Sequence, residues 1–183
     1  MSTSTFKVAI VGSGSVGKSC LVLRFINDKF VAKYNPTIQD EYHKDVIVDG
    51  CAVRLEILDT AGQDEFSQLR DTFLKEGRGI IIVYAIDSAT SFDDVDQIHE
   101  QVLRIKEGSP QKPILTLAGN KCDLEDNREV TSAQGKEKAD SWSCPFIETS
   151  ALSGTGVTEL FEGIAARLVR SEPKKKSKKC NIL

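Results

Sequence analysis

Cysteine is sparse and scattered in this chain: Cys20, Cys51, Cys122, Cys144 and Cys180 are five in number and never spaced as C-x-x-C. An odd, dispersed set excludes a disulfide framework and a cysteine-built zinc or dithiol motif, so reduced thiols in a cytosolic chain are expected. Long apolar runs are missing too. No stretch approaches the roughly 20 apolar residues that span a bilayer, and residues 1–5 lack the basic start and apolar core of a secretory signal. Cationic charge is scarce outside the end of the sequence. The net charge is −3, yet residues 171–183 hold five lysines against one glutamate, which leaves residues 1–170 acidic at −7. An acidic body speaks against nucleic acid as a partner, because a duplex binder spreads positive charge over a folded face. There is no internal repeat, and low complexity is confined to residues 174–179, which Pro173 separates from any preceding helix.

What remains is a composition, 183 residues with 40% hydrophobic and 28% charged, that suits one well-buried domain and is too short for two large ones. Residues 1–170 are expected to form that domain and 171–183 a flexible basic tail. Apolar strand-like runs alternate with amphipathic helical stretches, the pattern of an α/β fold with a largely parallel sheet. Six strands are expected near 6–12, 42–49, 52–59, 79–86, 113–119 and 145–149. Helices are expected on both faces, near 17–27, 66–76, 91–107, 131–141 and 156–170. The second and third runs flank Asp49-Gly50, a hairpin dipeptide, so one antiparallel edge strand is expected. Residues 79–84 (GIIIVY) and 114–118 (ILTLA) read as central strands buried on both faces. Ligands of such sheets bind beyond the carboxyl ends of the strands, and the motifs that carry chemistry follow those ends.

Residues 12–19 read GSGSVGKS, an instance of G-x-x-x-x-G-K-[ST] directly after an apolar strand. Glycines there let successive backbone N–H groups turn inward on phosphate oxygens, and the loop feeds a helix N-terminus that favours an anion. Gly12, Gly14, Ser15, Val16 and Gly17, with Lys18, Ser19 and Cys20 at the helix start, form the candidate cradle. Lys18 reaches for the β- and γ-phosphates, and the Ser19 hydroxyl suits Mg²⁺. Asp59-Thr60-Ala61-Gly62-Gln63 follows the third strand, where Asp59 can hold Mg²⁺ through a water and Gly62 can offer its N–H to a γ-phosphate. Asn120-Lys121-Cys122-Asp123 follows the fifth strand. A carboxylate at Asp123 accepts from both N1–H and the 2-amino group of guanine, whereas adenine has no N1 donor to offer. Ser150-Ala151-Leu152, after the sixth strand, can add a backbone N–H to the guanine O6.

The order GSGSVGKS, Thr37, DTAGQ, NKCD and TSA resembles the small GTPases of the Ras superfamily over about 170 residues and the tail. Residues 34–42 (YNPTIQDEY) are more similar to the Ras and Rap branch than to Rab or Rho. The resemblance implies a single P-loop GTPase domain that binds GTP or GDP with Mg²⁺ and hydrolyses GTP slowly, since no arginine lies between Phe30 and Tyr42. It implies Thr37 as a further Mg²⁺ ligand beside Ser19 and Asp59. Phe30 would lie edge-on to the base, Tyr34 over the phosphates with Pro36 beside it, and Gln63 against the attacking water. The catalytic set it implies is Gln63, Lys18, Thr37 and Gly62. Implied partners are an exchange factor, a GTPase-activating protein and effectors that dock on residues 34–42 and 60–76, the chain itself being a monomer. Three departures stand out. Ser15 replaces a second glycine, as in the Rheb branch; Gln39 and Glu41 replace the usual Glu and Ser; and Leu152 replaces a frequent Lys.

Cys180-Asn181-Ile182-Leu183 reads as a C-a-a-X box whose final Leu favours geranylgeranylation by a prenyltransferase, with methylation to follow. A single lipid anchors marginally, so the five lysines upstream are the expected second signal for an anionic membrane, on the cytoplasmic face and most simply the plasma membrane. Two alternatives stay open on the residues alone. An ATP-using P-loop enzyme leaves Asn120 and Asp123 unexplained. A module that binds nucleotide with little or no hydrolysis is opposed by Gln63 and kept open by Ser15.

Overall fold

The computed structural model describes residues 4–30, 39–60 and 67–172. Its six strands are β1 (Ser4–Val11), β2 (Gln39–Val48), β3 (Cys51–Thr60), β4 (Gly79–Ala85), β5 (Ile114–Asn120) and β6 (Phe146–Glu148). They lie in the order β2-β3-β1-β4-β5-β6, with every neighbouring pair parallel except β2 and β3. The α-helices described are α1 (Lys18–Asn27), α2 (Ser67–Glu76), α3 (Ala89–Lys106), α4 (Ser132–Ser141) and α5 (Val157–Ser171).

The expected α/β architecture is therefore present, and the two-sided burial of the central strands explains it. Along β1 and β4, residues Val8, Ile10, Ile81 and Val83 pack toward α1 and α5, with Leu21, Phe25, Phe161 and Leu168. Their neighbours Ala9, Val11, Ile80, Ile82 and Tyr84 point the opposite way, into a second core with Leu74, Val95 and Val102 from α2 and α3. An apolar side chain at every position is what a strand sandwiched between two helical layers requires.

Asp49 (φ 49°) and Gly50 (φ 75°) both adopt positive φ, the turn that joins twisted strands in a two-residue hairpin. Arg170 near the end of α5 grips Asp49 with two hydrogen bonds of 2.7 and 3.0 Å, fastening that hairpin to the body. Helix starts carry explicit caps: Ser88 accepts from the Ser91 N–H, and Thr131 with Gln134 forms a reciprocal capping box. The largest boundary difference from expectation is at β2. β2 begins at Gln39, three residues earlier than the apolar pattern indicates, because Gln39, Asp40 and Glu41 pair with Thr60, Asp59 and Leu58 of β3.

The register aligns the site. Ile10 lies beside Asp59, Val11 beside Ile82 and Ala85 beside Asn120, so the carboxyl ends of β1, β3, β4 and β5 converge on one edge of the sheet. β1 sits between β3 and β4, where the strand order reverses, and this is the switch point at which such sheets bind ligands.

Candidate nucleotide site

The turn that leaves β1 approaches β4 closely. A Cβ on Gly12 would stand 2.2 Å from the Val83 carbonyl oxygen, so no side chain fits there. Ser13 donates its hydroxyl to Asp94 of α3 at 2.6 Å, which ties the loop to a helix far away in sequence. Gly14 and Ser15 form the exposed crest, and Ser15 adopts φ 62°. That left-handed conformation is one glycine takes freely and serine takes at a cost of about 1 kcal/mol. Val16 is buried, and Gly17 (φ 91°) caps α1.

Lys18 opens α1 with its side chain folded back under the loop. The ammonium donates to the Gly12 and Ser13 carbonyls, each at 2.8 Å, and the residue is only 6% exposed. Burial lowers its pKa to about 8; Asp59 opposes that shift and Arg70 adds to it. Asp59 at the end of β3 is fully buried, and neither carboxylate oxygen has a hydrogen bond of good geometry. Burial raises its pKa to about 6, against the pull of the Ser19 hydroxyl and the Lys18 ammonium. The next residue, Thr60, donates to the Ile10 carbonyl at 2.8 Å and holds the strand end against β1. A buried ammonium, and a buried carboxylate with the Ser19 hydroxyl near it, beside a glycine-bearing loop fit polyanionic phosphate with a divalent cation. Cys20 is half-buried in the first turn of α1, its thiol pKa raised by burial.

The Asn120-Lys121-Cys122-Asp123 segment is built onto the same frame. Asn120 is 1% exposed; its amide donates to the Val16 carbonyl at 2.8 Å and accepts from the Thr149 hydroxyl at 3.1 Å. A Cβ on Gly17 would stand 2.5 Å from the Asn120 amide nitrogen, so the two loops touch. Lys121 (φ 66°) turns the chain and reaches Asp87 at 3.2 Å. The Asp123 carboxylate accepts from the Ser150 hydroxyl at 2.5 Å, and that hydroxyl accepts from the Ser153 N–H at 3.0 Å. The Asp123 carboxylate is thus held in a fixed orientation by the Ser150 turn. Ala151 is buried beneath this turn, while Leu152 and Phe30 are exposed.

The structure therefore brings Gly12, Gly14, Ser15, Val16, Gly17, Lys18, Ser19 and Asp59 to one strand edge, with Asn120, Lys121, Asp123, Ser150, Ala151 and Leu152 alongside. The predicted residues Tyr34, Pro36, Thr37, Ala61, Gly62, Gln63 and Cys180 lie outside the described residues. Ser13 and Thr149 lie inside the GSGSVGKS and TSA motifs without a role read for them from sequence, and Asp94 and Asp87 carry no local signal.

Comparison with known proteins gives the family. The sequence model of the Ras family matches residues 7–170. The chain belongs to the Ras family. It is similar to the Ras-like protein rasB of Dictyostelium discoideum, 44% identical over 185 aligned positions that cover 99% of this chain and 93% of the relative. As a Ras family member the chain is a small GTPase, a switch between GTP and GDP forms that hydrolyses GTP, and the non-hydrolysing alternative is not favoured. Ras family GTPases bind guanine nucleotide with Mg²⁺ and work with exchange factors, activating proteins and effectors.

Proposed function

We propose that the loop from Gly12 to Cys20 holds the phosphates, that Ser19 and Asp59, joined by Thr37, hold Mg²⁺, and that Asn120, Lys121 and Asp123 read guanine with the Ser150-Ala151-Leu152 backbone. The observation that carries this reading is the buried Lys18–Asp59 pair, whose carboxylate has no hydrogen bond of good geometry. Mg²⁺ when bound neutralises charge on the phosphate oxygens. The chain does the rest. Lys18, already dehydrated and close to its phosphate ligands' positions on the loop, loses little in meeting an anion there. Thr37 and Gly62 hold the γ-phosphate, so that its departure releases residues 34–42 and 60–76 and ends effector docking. Gln63 orients the attacking water, and with no arginine between Phe30 and Tyr42 the intrinsic rate is slow until a partner supplies the missing charge. Phe30, Tyr34, Pro36 and Ala61 complete the enclosure.

Residues 1–170 act as a monomeric switch domain, and 171–183 serve as its anchor. Geranylgeranylation of Cys180 by a prenyltransferase, with the five lysines upstream, places the switch on the anionic cytoplasmic face of a membrane. Single-turnover hydrolysis of preloaded GTP tests the chemistry. Gln63→Leu should bind GTP as the parent does and lengthen its lifetime by roughly an order of magnitude or more. An unchanged rate would remove Gln63 from the mechanism.

A further inference from the structure

The two strands at the open side of the sheet carry a cluster that the nucleotide site does not use. In the β2–β3 register His43 lies directly opposite Glu56, and Glu41 stands two residues before His43, hence on the same face. One oxygen from each glutamate and one imidazole nitrogen all lie within 4.8 Å of one another, and Glu41 Oε1 is 4.0 Å from His43 Nε2. Glu41 and His43 are exposed and Glu56 is half-buried. The cations beside the cluster make their hydrogen bonds elsewhere, although the charge of Lys7 is also drawn to Glu41 and Glu56 and that of Arg54 to Glu56. Lys7, next to Glu56 on β1, gives its ammonium to Glu76 at 2.6 Å, and Arg54 gives its guanidinium to Asp45 at 2.8 and 3.0 Å. Neither the Glu41 nor the Glu56 carboxylate accepts a side-chain hydrogen bond among the described residues.

Two residues at i and i+2 on one strand plus the cross-strand partner make a three-ligand set on a single face, with the outward positions left for water. Zinc binds imidazole nitrogen and carboxylate oxygen at about 2.0–2.2 Å, which places tetrahedral ligand atoms roughly 3.4 Å apart. Exposed glutamate and histidine side chains cover the difference from the observed separations by rotamer adjustment, with the backbone register already set. The imidazole separates this cluster from an ordinary acidic patch: it selects a borderline transition ion over Mg²⁺ or Ca²⁺, which take oxygen ligands in larger number. We propose that Glu41, His43 and Glu56 form a surface site for a divalent transition ion of the zinc class, separate from the nucleotide's Mg²⁺. Occupancy adds two positive charges to β2 and clips that edge strand to β3, with Glu41 itself inside residues 34–42, to which effector docking is assigned.

The test uses the full chain loaded with GDP in excess Mg²⁺, stripped of trace metal and titrated with ZnCl₂ in a calorimeter. One equivalent of zinc should bind without displacing GDP. His43→Ala and Glu56→Gln should each weaken it at least tenfold while retaining GDP, and His99→Ala should not change it. The His43 ring resonances should shift on zinc addition and not on further Mg²⁺. Equal zinc binding by the parent and both variants would assign the ion to cysteine thiols and overturn the proposal, as would no binding by the parent.

Discussion

At the scale of single residues the Lys18–Asp59 pair sets how the protein responds to pH. Both groups are desolvated, and their pKa values move toward each other, Lys18 down to about 8 and Asp59 up to about 6. In the nucleotide-free protein the raised Asp59 pKa gives stability that is full below the ordinary aspartate value of 3.8 and lost as pH rises through 6. The lowered Lys18 pKa gives stability that is full above 10.5 and lost as pH falls through 8. Between those limits both charges are buried at their greatest cost. On the proposed reading phosphate and metal relieve it, and a proton and Mg²⁺ compete for Asp59. The Mg²⁺ affinity of the GDP form should fall roughly fourfold from pH 7.5 to 5.5, read as Mg²⁺-dependent release of a fluorescent GDP analogue. Asp59→Asn should bind Mg²⁺ weakly at both pH values; a parent affinity that stays flat would mean the carboxylate never meets the ion.

At the scale of elements, the phosphate loop is a strained turn held from three sides, by Val83, by Asp94 and by Asn120. Its two unusual backbone positions should respond in opposite directions. Ser15→Gly removes a left-handed serine and should stabilise the fold by about 0.5–1 kcal/mol, raising the melting temperature of the GDP form by roughly 1–4 °C. Gly17→Ala drives a methyl group into the buried Asn120 amide and should lower it by roughly 6–12 °C, from about 3 kcal/mol of strain and lost hydrogen bonding. A calorimetric scan of both variants decides it, and equal shifts would show that backbone conformation does not govern this loop. The loop's chemistry was legible because GSGSVGKS concentrates glycine, lysine and serine in one window, and β4 and β5 were legible because burial on both faces leaves an unbroken apolar string. The start of β2 was not, since Gln39-Asp40-Glu41 are polar and become strand only through their partners on β3. Nor was the Ser13–Asp94 hydrogen bond, which spans 81 residues and leaves no trace in either local segment.

At the scale of the whole molecule the charges are segregated, an acidic body against a tail of five lysines. No described helix is long and apolar enough to cross a membrane. For the proposed anchor, lipid and charge act together. The geranylgeranylated chain should sediment with phosphatidylserine vesicles at low ionic strength and be partly released by about 0.5 M salt, because the roughly 1 kcal/mol from each lysine is screened. Cys180→Ser should stay in the supernatant at either salt, and co-sedimentation equal to the parent would refute the lipid's part. The contact between Asn120 and Val16 has a last consequence at this scale. On the proposed assignment it joins two weak recognition surfaces, one for a sugar-linked base and one for a pyrophosphate, into a single bidentate host. Guanosine and pyrophosphate offered as separate fragments each lose their own freedom on binding, whereas the intact nucleotide loses it once and meets its second half-site at a high effective concentration. A partner that shifts either loop breaks that chelation, so ejection of a tightly held nucleotide needs force at only one of its two ends.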